Sequence, residues 1–307
     1  MPEVGGAYVQ AESEVSAINM VFGAAAAGAR VMTASSSPGI SLMQEGISYI
    51  ASAELPAVIV NIMRGSPGLG GIQPSQADYF QSVKGGGHGD YKLPVLAPAS
   101  IQELIDFTIL AFELAEKYRN PVMVFGDGMS GQMMEPVIMP DTLLPEPVRP
   151  WAAAGMVNRP PNRIHTLYLP AQDLEDHVNR LFEKYRTIEQ TEQRFSTFFT
   201  EDAEVLIVSF GITSRVARAA VEMAREQGIK AGLFRPITLW PFPSQALKNA
   251  AQKAKLVISA EISMGQLIED VKLALGGQNI KLFNRIGTVP APDELLAFII
   301  VQLQEAD

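Results

Sequence analysis

Cysteine is absent from the 307 residues, and histidine occurs only three times, at His88, His165 and His177. Without thiols the chain forms no disulfide, binds no iron–sulfur cluster through thiolates and has no cysteine nucleophile. Histidines so far apart in sequence do not suggest a histidine-rich metal site. Basic runs are missing as well, and the net charge is −9, which argues against nucleic acid and anionic membranes as partners. No uninterrupted apolar run approaches the ~18 residues of a spanning helix, and no signal peptide opens the chain. The expected location is therefore the cytoplasm. Apolar side chains are plentiful, at 47%, and the length allows about two domains with buried cores.

The first half alternates apolar runs with helical segments. A helix around Glu14 is followed by RVMTAS (30–35), then by Ser37 and Pro38, read as a helix N-cap and its first-turn proline. That helix runs to about Ala53. AVIVNIM (57–63) is continuous and β-branched, as a strand buried on both faces of a parallel sheet requires. A helix is expected from about Ser75 to the GGGHGD loop, a strand at LPVLAP (93–98), a capping box at Ser100 and Glu103 opening a helix to about Arg119, and a strand at VMVFGD (122–127). Prolines 136, 140, 145, 147, 150, 160, 161 and 170 exclude long helices from the next stretch. A charged helix at 171–194 follows. Strands at 204–211, 230–236, 255–261 and 281–287 then alternate with helices near 213–227, 243–253, 264–275 and 292–305. The expected architecture is α/β: a doubly wound, mostly parallel sheet over 1–140, a proline-rich linker and charged helix over 141–200, and a smaller α/β domain over 201–307.

Three features point to chemistry. Glu14 shares a helix face with Ala17, Ile18, Val21, Ala25 and Gly28, whereas Glu12 points elsewhere. A lone carboxylate on an apolar face calls for a partner or a raised pKa; an acid in a first helical turn is also simply favoured by the dipole. Arg64 directly follows a buried strand, where open α/β sheets bind ligands, and its fork suits a carboxylate or phosphate. A structural pair or a solvated loop arginine is the other reading. The loop GSPGLGG after it lacks dinucleotide spacing, and His88 in its glycine loop reads as solvated or functional. Finally, Gly126-Asp127-Gly128 with Asn158 imitates a magnesium motif of thiamine diphosphate enzymes. The intervening prolines forbid the compact unit that motif needs, so it is read as a decoy and no metal ligand is expected on this chain.

AESEVSAINMVFGAAAAGARVMTASSSPGISLMQEGISYIASAELPAVIVNIMRGSPGLG, continued by PSQADYF and GGGHGDY, resembles the pyrimidine-domain (alpha-type) subunit of the 2-oxoacid:ferredoxin oxidoreductases, most closely the branch acting on 3-methyl-2-oxobutanoate (2-ketoisovalerate). SFGITSRVARAAVEMAREQGIKAGLFRPITLWPFP is similar to the transketolase C-terminal-like domain that follows in this family. The resemblance covers nearly the whole chain. It implies oxidative decarboxylation of a branched-chain 2-oxoacid with coenzyme A, giving an acyl-CoA and reduced ferredoxin.

Thiamine diphosphate would be shared with a diphosphate-domain (beta-type) subunit carrying Mg²⁺. Iron–sulfur clusters would lie on partner subunits, with a gamma-type subunit and a ferredoxin or ferredoxin-like subunit completing the complex. Glu14 falls on the glutamate that meets the cofactor's aminopyrimidine, and Arg64 on the arginine directed at the substrate carboxylate. Family members open with a strand and a loop resembling GYPITP, whose threonine reaches the site. This chain starts just before the Glu14 helix, as a fragment or a late-assigned start would. The competing expectations are a 2-oxoglutarate-specific member and a non-catalytic assembly subunit.

Overall fold

Continuous β-branched runs become the central strands of two sheets in the computed structural model, which describes residues 3, 5–140 and 147–305. The first unit is built from α1 (Glu14–Ala26), β1 (Met32–Ser35), α2 (Ser37–Ser52), β2 (Ala57–Met63), α3 (Tyr79–Val83), β3 (Val95–Leu96), α4 (Ile101–Tyr118) and β4 (Pro121–Asp127). After the proline-rich stretch come α5 (Ala171–Thr191), β5 (Phe195–Phe198), β6 (Val205–Val208), α6 (Gly211–Glu226), β7 (Ala231–Pro236), β8 (Thr238–Trp240), α7 (Ser244–Ala250), β9 (Leu256–Glu261), α8 (Leu267–Leu275), β10 (Ile280–Asn284) and α9 (Pro292–Gln304). One sheet has the order β1-β2-β4-β3-β8 and the other β10-β9-β6-β7-β5. Each is parallel apart from one antiparallel edge strand, β8 in the first and β5 in the second. Helices on the sheets complete the expected α/β class. No helix among the described residues is long and apolar enough to cross a membrane.

Burial follows residue chemistry. Every residue of β4 is buried, as are all but two of β2, so both strands can be apolar without alternation. α5 is polar overall, yet His177, Leu181, Tyr185 and Ile188 fall on one stripe at helical spacing and are buried. That stripe lays the charged helix across the body of the protein.

Several elements depart from expectation. The helix foreseen from Ser75 shrinks to α3, because Ser75 Oγ folds back on Ala77 N (3.1 Å) and Gln76 N donates to Ile262 O (2.8 Å). The strand foreseen over 93–98 keeps only two residues between Pro94 and Pro98, consistent with proline's lack of a ladder donor. β5 and β8 had no sequence signal of their own. β8 crosses from the second half of the chain to pair with β3, Val95 opposite Trp240 and Leu96 opposite Thr238.

The two halves also share a core and buried polar bonds. Phe210, just before α6, stacks on Phe125 of β4 (centroids 6.1 Å apart) and packs on Tyr79 (5.8 Å). Gln76, 1% exposed, donates from Nε2 to Phe210 O (2.9 Å), while its Oε1 accepts from Thr213 Oγ1 (3.1 Å) and Ile262 N (2.9 Å). Asp127, at the end of β4 and 2% exposed, accepts from Met129 N and Ser130 N, each at 2.9 Å, and from Ser130 Oγ at 3.1 Å. The backbone N–H of Ile212, in the first turn of α6, faces it as well and helps to hold its pKa down. Burial pushes its carboxyl above the ordinary aspartate range, and these donors limit the rise.

Two predictions follow from these contacts. Asp127→Ala strips three donors of their acceptor and lowers unfolding free energy by about 2–3 kcal/mol, read from denaturant curves of the full chain. The second concerns His177, buried against Tyr168 (stacked, 4.4 Å) and Arg180 Nη2 (3.0 Å from Nδ1). Burial, then the neighbouring Arg180 charge, lower its pKa from the usual imidazole value, with Lys184 acting the same way and Glu54 against it. The folded state thus holds fewer protons than the unfolded one just below ~6.5, so this contribution to stability is present above that pH and falls away below it. The melting temperature should drop between pH 7.5 and 5.5, and by less in His177→Gln.

Candidate functional site

Three consecutive serines at the carboxyl end of β1 organise the site. Ser36 is the N-cap residue of α2, with Pro38 in the first turn, so the expected cap shifts by one residue from Ser37. Neither hydroxyl caps the helix, because both are engaged by Arg64. Ser36 Oγ accepts from Arg64 Nε at 3.2 Å, and Ser37 Oγ accepts from Arg64 N at 3.1 Å. Ser35 turns the other way, its Oγ lying 3.5 Å from Glu14 Oε1.

Glu14 opens α1, with Ser13 as N-cap accepting from Ser16 N at 3.2 Å. Its face is buried at Ile18, Val21 and Ala25 as expected, but Glu14 itself is half-buried. Its partner is a hydroxyl and not a cation, and among the described residues Oε2 receives no hydrogen bond. Glu14 stands in a first helical turn, and its carboxylate faces a neighbouring element. That neighbour is Gly39 in the first turn of α2, where an added Cβ would lie 2.1 Å from Ser35 Oγ and 2.7 Å from Glu14 Oε1. The carboxylate thus lies over the amino end of α2, where the helix dipole favours negative charge.

Arg64 is half-buried and forms no ion pair among the described residues. Its Nη1 donates to Leu69 O and, at 3.4 Å, to Gly71 O, inside the loop that follows it. The loop is closed by Gly65 N to Gln73 O (2.8 Å) and Gly71 N to Gly65 O (3.0 Å). Gly70, at φ 60°, could not carry a side chain, since its Cβ would meet Gly65 O at 1.7 Å. Nη2 is left without a partner among the described residues. The arrangement offers a carboxylate with spare acceptor capacity and a guanidinium held by neutral groups, joined through one turn at the carboxyl ends of β1 and β2. That is where open α/β sheets bind ligands.

The remaining candidates lie elsewhere. His88 is exposed, in edge contact with Tyr49 (5.7 Å) and 3.5 Å from Ser48 Oγ through Nδ1. Asp127 is buried at the junction of the two halves, whereas Asn158 stands exposed on a turn with φ 59°. Sequence reasoning missed Ser35, Ser36 and Gly39. The SSSPG run was visible as a helix start, but nothing in it announced side chains turned outward to two distant residues.

Comparison with known proteins places this geometry in context. Residues 1–195 match the family described as pyruvate flavodoxin/ferredoxin oxidoreductase, thiamine diphosphate-binding, and residues 203–293 match pyruvate:ferredoxin oxidoreductase core domain II. The chain is 53% identical to the ketoisovalerate oxidoreductase subunit VorB of Methanothermobacter marburgensis, over 93% of this chain and 82% of that protein. It is 38% identical to the 2-oxoglutarate synthase subunit KorA of Methanothermobacter thermautotrophicus, over 98% and 88%. A solved 2-oxoglutarate:ferredoxin oxidoreductase from Magnetococcus marinus, with 2-oxoglutarate, coenzyme A and succinyl-CoA bound, aligns with a TM-score of 0.82 at 25% identity. The match covers 97% of this chain and 57% of that one, so this chain spans little more than half of that relative. A split-gene transketolase, TM-score 0.56 at 14% identity over 95% and 82% of the two chains, shares the fold alone.

Gly39→Ala tests the packing at the turn. The atoms in its way are Ser35 Oγ and Glu14 Oε1 and Cγ, all of side chains that must swing aside together, and alanine in a helix regains about 0.5–1 kcal/mol. The melting temperature should stay within a few degrees of wild type, while activity falls toward that of a Glu14 variant. A variant that kept full turnover would show that the close approach of Glu14 to Gly39 has no functional weight.

Proposed function

This chain belongs to the 2-oxoacid:ferredoxin oxidoreductase family, and on that premise we propose that it is the pyrimidine-domain subunit of an enzyme oxidising branched-chain 2-oxoacids, 2-ketoisovalerate foremost, to acyl-CoA with ferredoxin as acceptor. The observation that carries the reading is the meeting of Glu14 and Arg64 on one serine turn at the carboxyl ends of β1 and β2. Thiamine diphosphate fits this place, because Glu14 presents a half-buried carboxylate whose Oε2 has no donor of its own among the described residues. When bound, thiamine diphosphate supplies a nucleophilic carbon that adds to the 2-oxo group and stabilises the negative charge left by decarboxylation. Mg²⁺, the cofactor's diphosphate and the iron–sulfur clusters are assigned to partner subunits in a cytoplasmic complex. Exposed Leu42, Leu69, Ile72 and Met20 provide apolar surface for the diphosphate-domain partner to cover.

The residues of this chain have distinct tasks. Glu14 holds or releases a proton at its carboxyl oxygen toward a ring nitrogen, a transfer favoured where water is excluded. Arg64 orients the substrate carboxylate through Nη2, while Ser36, Leu69 O and Gly71 O fix its plane. The loop from Gly65 to Gln73 contains no cation, and its Leu69 and Ile72 are 87% and 77% exposed. A second carboxylate, as in 2-oxoglutarate, would find no counter-charge there; a branched aliphatic chain finds apolar contact.

The direct test is anaerobic copurification with the partner subunits and a 2-oxoacid panel, read as coenzyme A-dependent reduction of a ferredoxin-like dye. 2-Ketoisovalerate should exceed 2-oxoglutarate in kcat/KM, and the reverse order would reject the substrate assignment. Glu14→Gln should leave assembly intact and lower turnover by about 10²–10⁴-fold, since an amide cannot exchange the proton. Arg64→Lys should raise KM or lower kcat/KM with little change in thiamine diphosphate affinity, because a point charge cannot reproduce the planar fork. Loss of cofactor binding with intact substrate kinetics would assign Arg64 a different ligand.

A further inference from the structure

The chain carries a net charge of −9, yet three arginines converge on one cleft far along the chain from Glu14 and Arg64. Arg215 and Arg218 project from the first turns of α6 and Arg235 from β7 into a cavity of about 240 Å³. Its walls come from both halves of the protein: the amino end of α4 at Ala99 and Ser100 on one side, the edge strand β5 on the other. At ~30 Å³ per water the space holds about eight waters, the size of a small solute and not of a macromolecular segment.

The three cations are not equivalent. Arg235 is neutralised by Glu103, bidentately at 2.9 and 2.5 Å, and Arg215 Nη1 meets Glu135 at 2.6 Å. Arg218 stacks over the Phe198 ring at 4.2 Å and approaches a carboxylate only through Nε, at 3.6 Å from Glu222. Both of its Nη groups lack a hydrogen bond among the described residues. Ser196 and Thr197 of β5 also line the cleft, and among the described residues their hydroxyls have no protein partner either. A guanidinium fixed by an aromatic face is a pre-oriented fork for an oxyanion, and hydroxyls supply further donors. The amino end of α4 is already capped, Ala99 N by Glu103 and Ile101 N by Glu135, so Arg218 and the β5 hydroxyls carry the site.

We propose that this cleft binds a phosphate group, free or as a small organic monoester, gripped by Arg218 together with Ser196 and Thr197. Occupancy ties the start of α4, in the first unit, to β5 and α6, in the second. The site is separate from the proposed substrate site and does not rest on that assignment.

The test uses the full chain and inorganic phosphate, followed by ³¹P line broadening and isothermal titration, with ribose 5-phosphate as a second arm. Wild type should bind with one-site stoichiometry. Arg218→Gln and the pair Ser196→Ala, Thr197→Val should each weaken binding at least tenfold, while Arg163→Gln, at an exposed position, should not. Tighter binding of ribose 5-phosphate assigns the source to a phosphate monoester; tighter binding of inorganic phosphate assigns it to the free ion. Undetectable binding at 10 mM phosphate, or equal weakening by Arg163→Gln, overturns the proposal. Unchanged melting temperatures of the ligand-free variants keep a folding defect from imitating lost binding.

Discussion

Polar groups buried at a chain junction must find hydrogen-bond partners, and in this protein the second half of the chain finds them in the first. α6 begins at a phenylalanine that cannot cap it with a side chain. Asp127 lies beside its first turn at the end of β4, and Gln76 holds Phe210 O, Thr213 and Ile262 N in one buried cluster. Leaving such groups without partners in an apolar interior costs about 1–3 kcal/mol each. The aromatic stack of Phe125, Phe210 and Tyr79 closes around them. The two sheets are therefore fixed to each other by polar bonds that tolerate little sliding, and the carboxyl ends of β1, β2 and β4 keep a defined surrounding.

The serine turn applies the same economy at the site. Two hydroxyls that would ordinarily cap α2 are directed to Arg64, so the guanidinium is held by neutral groups and keeps its charge uncompensated. Glu14 is positioned by close packing against Gly39, with one long hydroxyl contact from Ser35. An acid and a base of opposite charge thus stand at one turn without forming a salt bridge in the described structure. Such a pair would satisfy both groups internally and leave neither for a ligand.

Much of this was legible in the residues. AVIVNIM and VMVFGD read as buried strands because burial on both faces needs unbroken apolar runs, and the long helices showed their stripes through 3.6-residue spacing. Glu14 and Arg64 stood out as charges beside apolar segments. Their meeting did not, since fifty residues separate them and the serines between looked like capping residues. β5 and β8 were invisible for a related reason: strands of four and three residues are set by the partner they pair with and not by their own pattern. At Asp127, proline placement spoke against a metal role, but only packing revealed that the carboxylate holds the turn at Met129 and Ser130 beside the start of α6.

The crossing of β8 into the first sheet has a consequence for synthesis on the ribosome. Once β4 has paired with one edge of β3, the other edge at Val95 and Leu96 is still open, and the strand that covers it follows more than a hundred residues after β3. At a translation rate of about 5–20 residues per second, that edge waits roughly 7–30 s for Thr238–Trp240 to arrive. An open edge of short apolar strand is a template for pairing with other nascent chains. Slow codons or crowded polysomes across this interval would therefore tax the yield of native protein more than the same delay placed after Trp240.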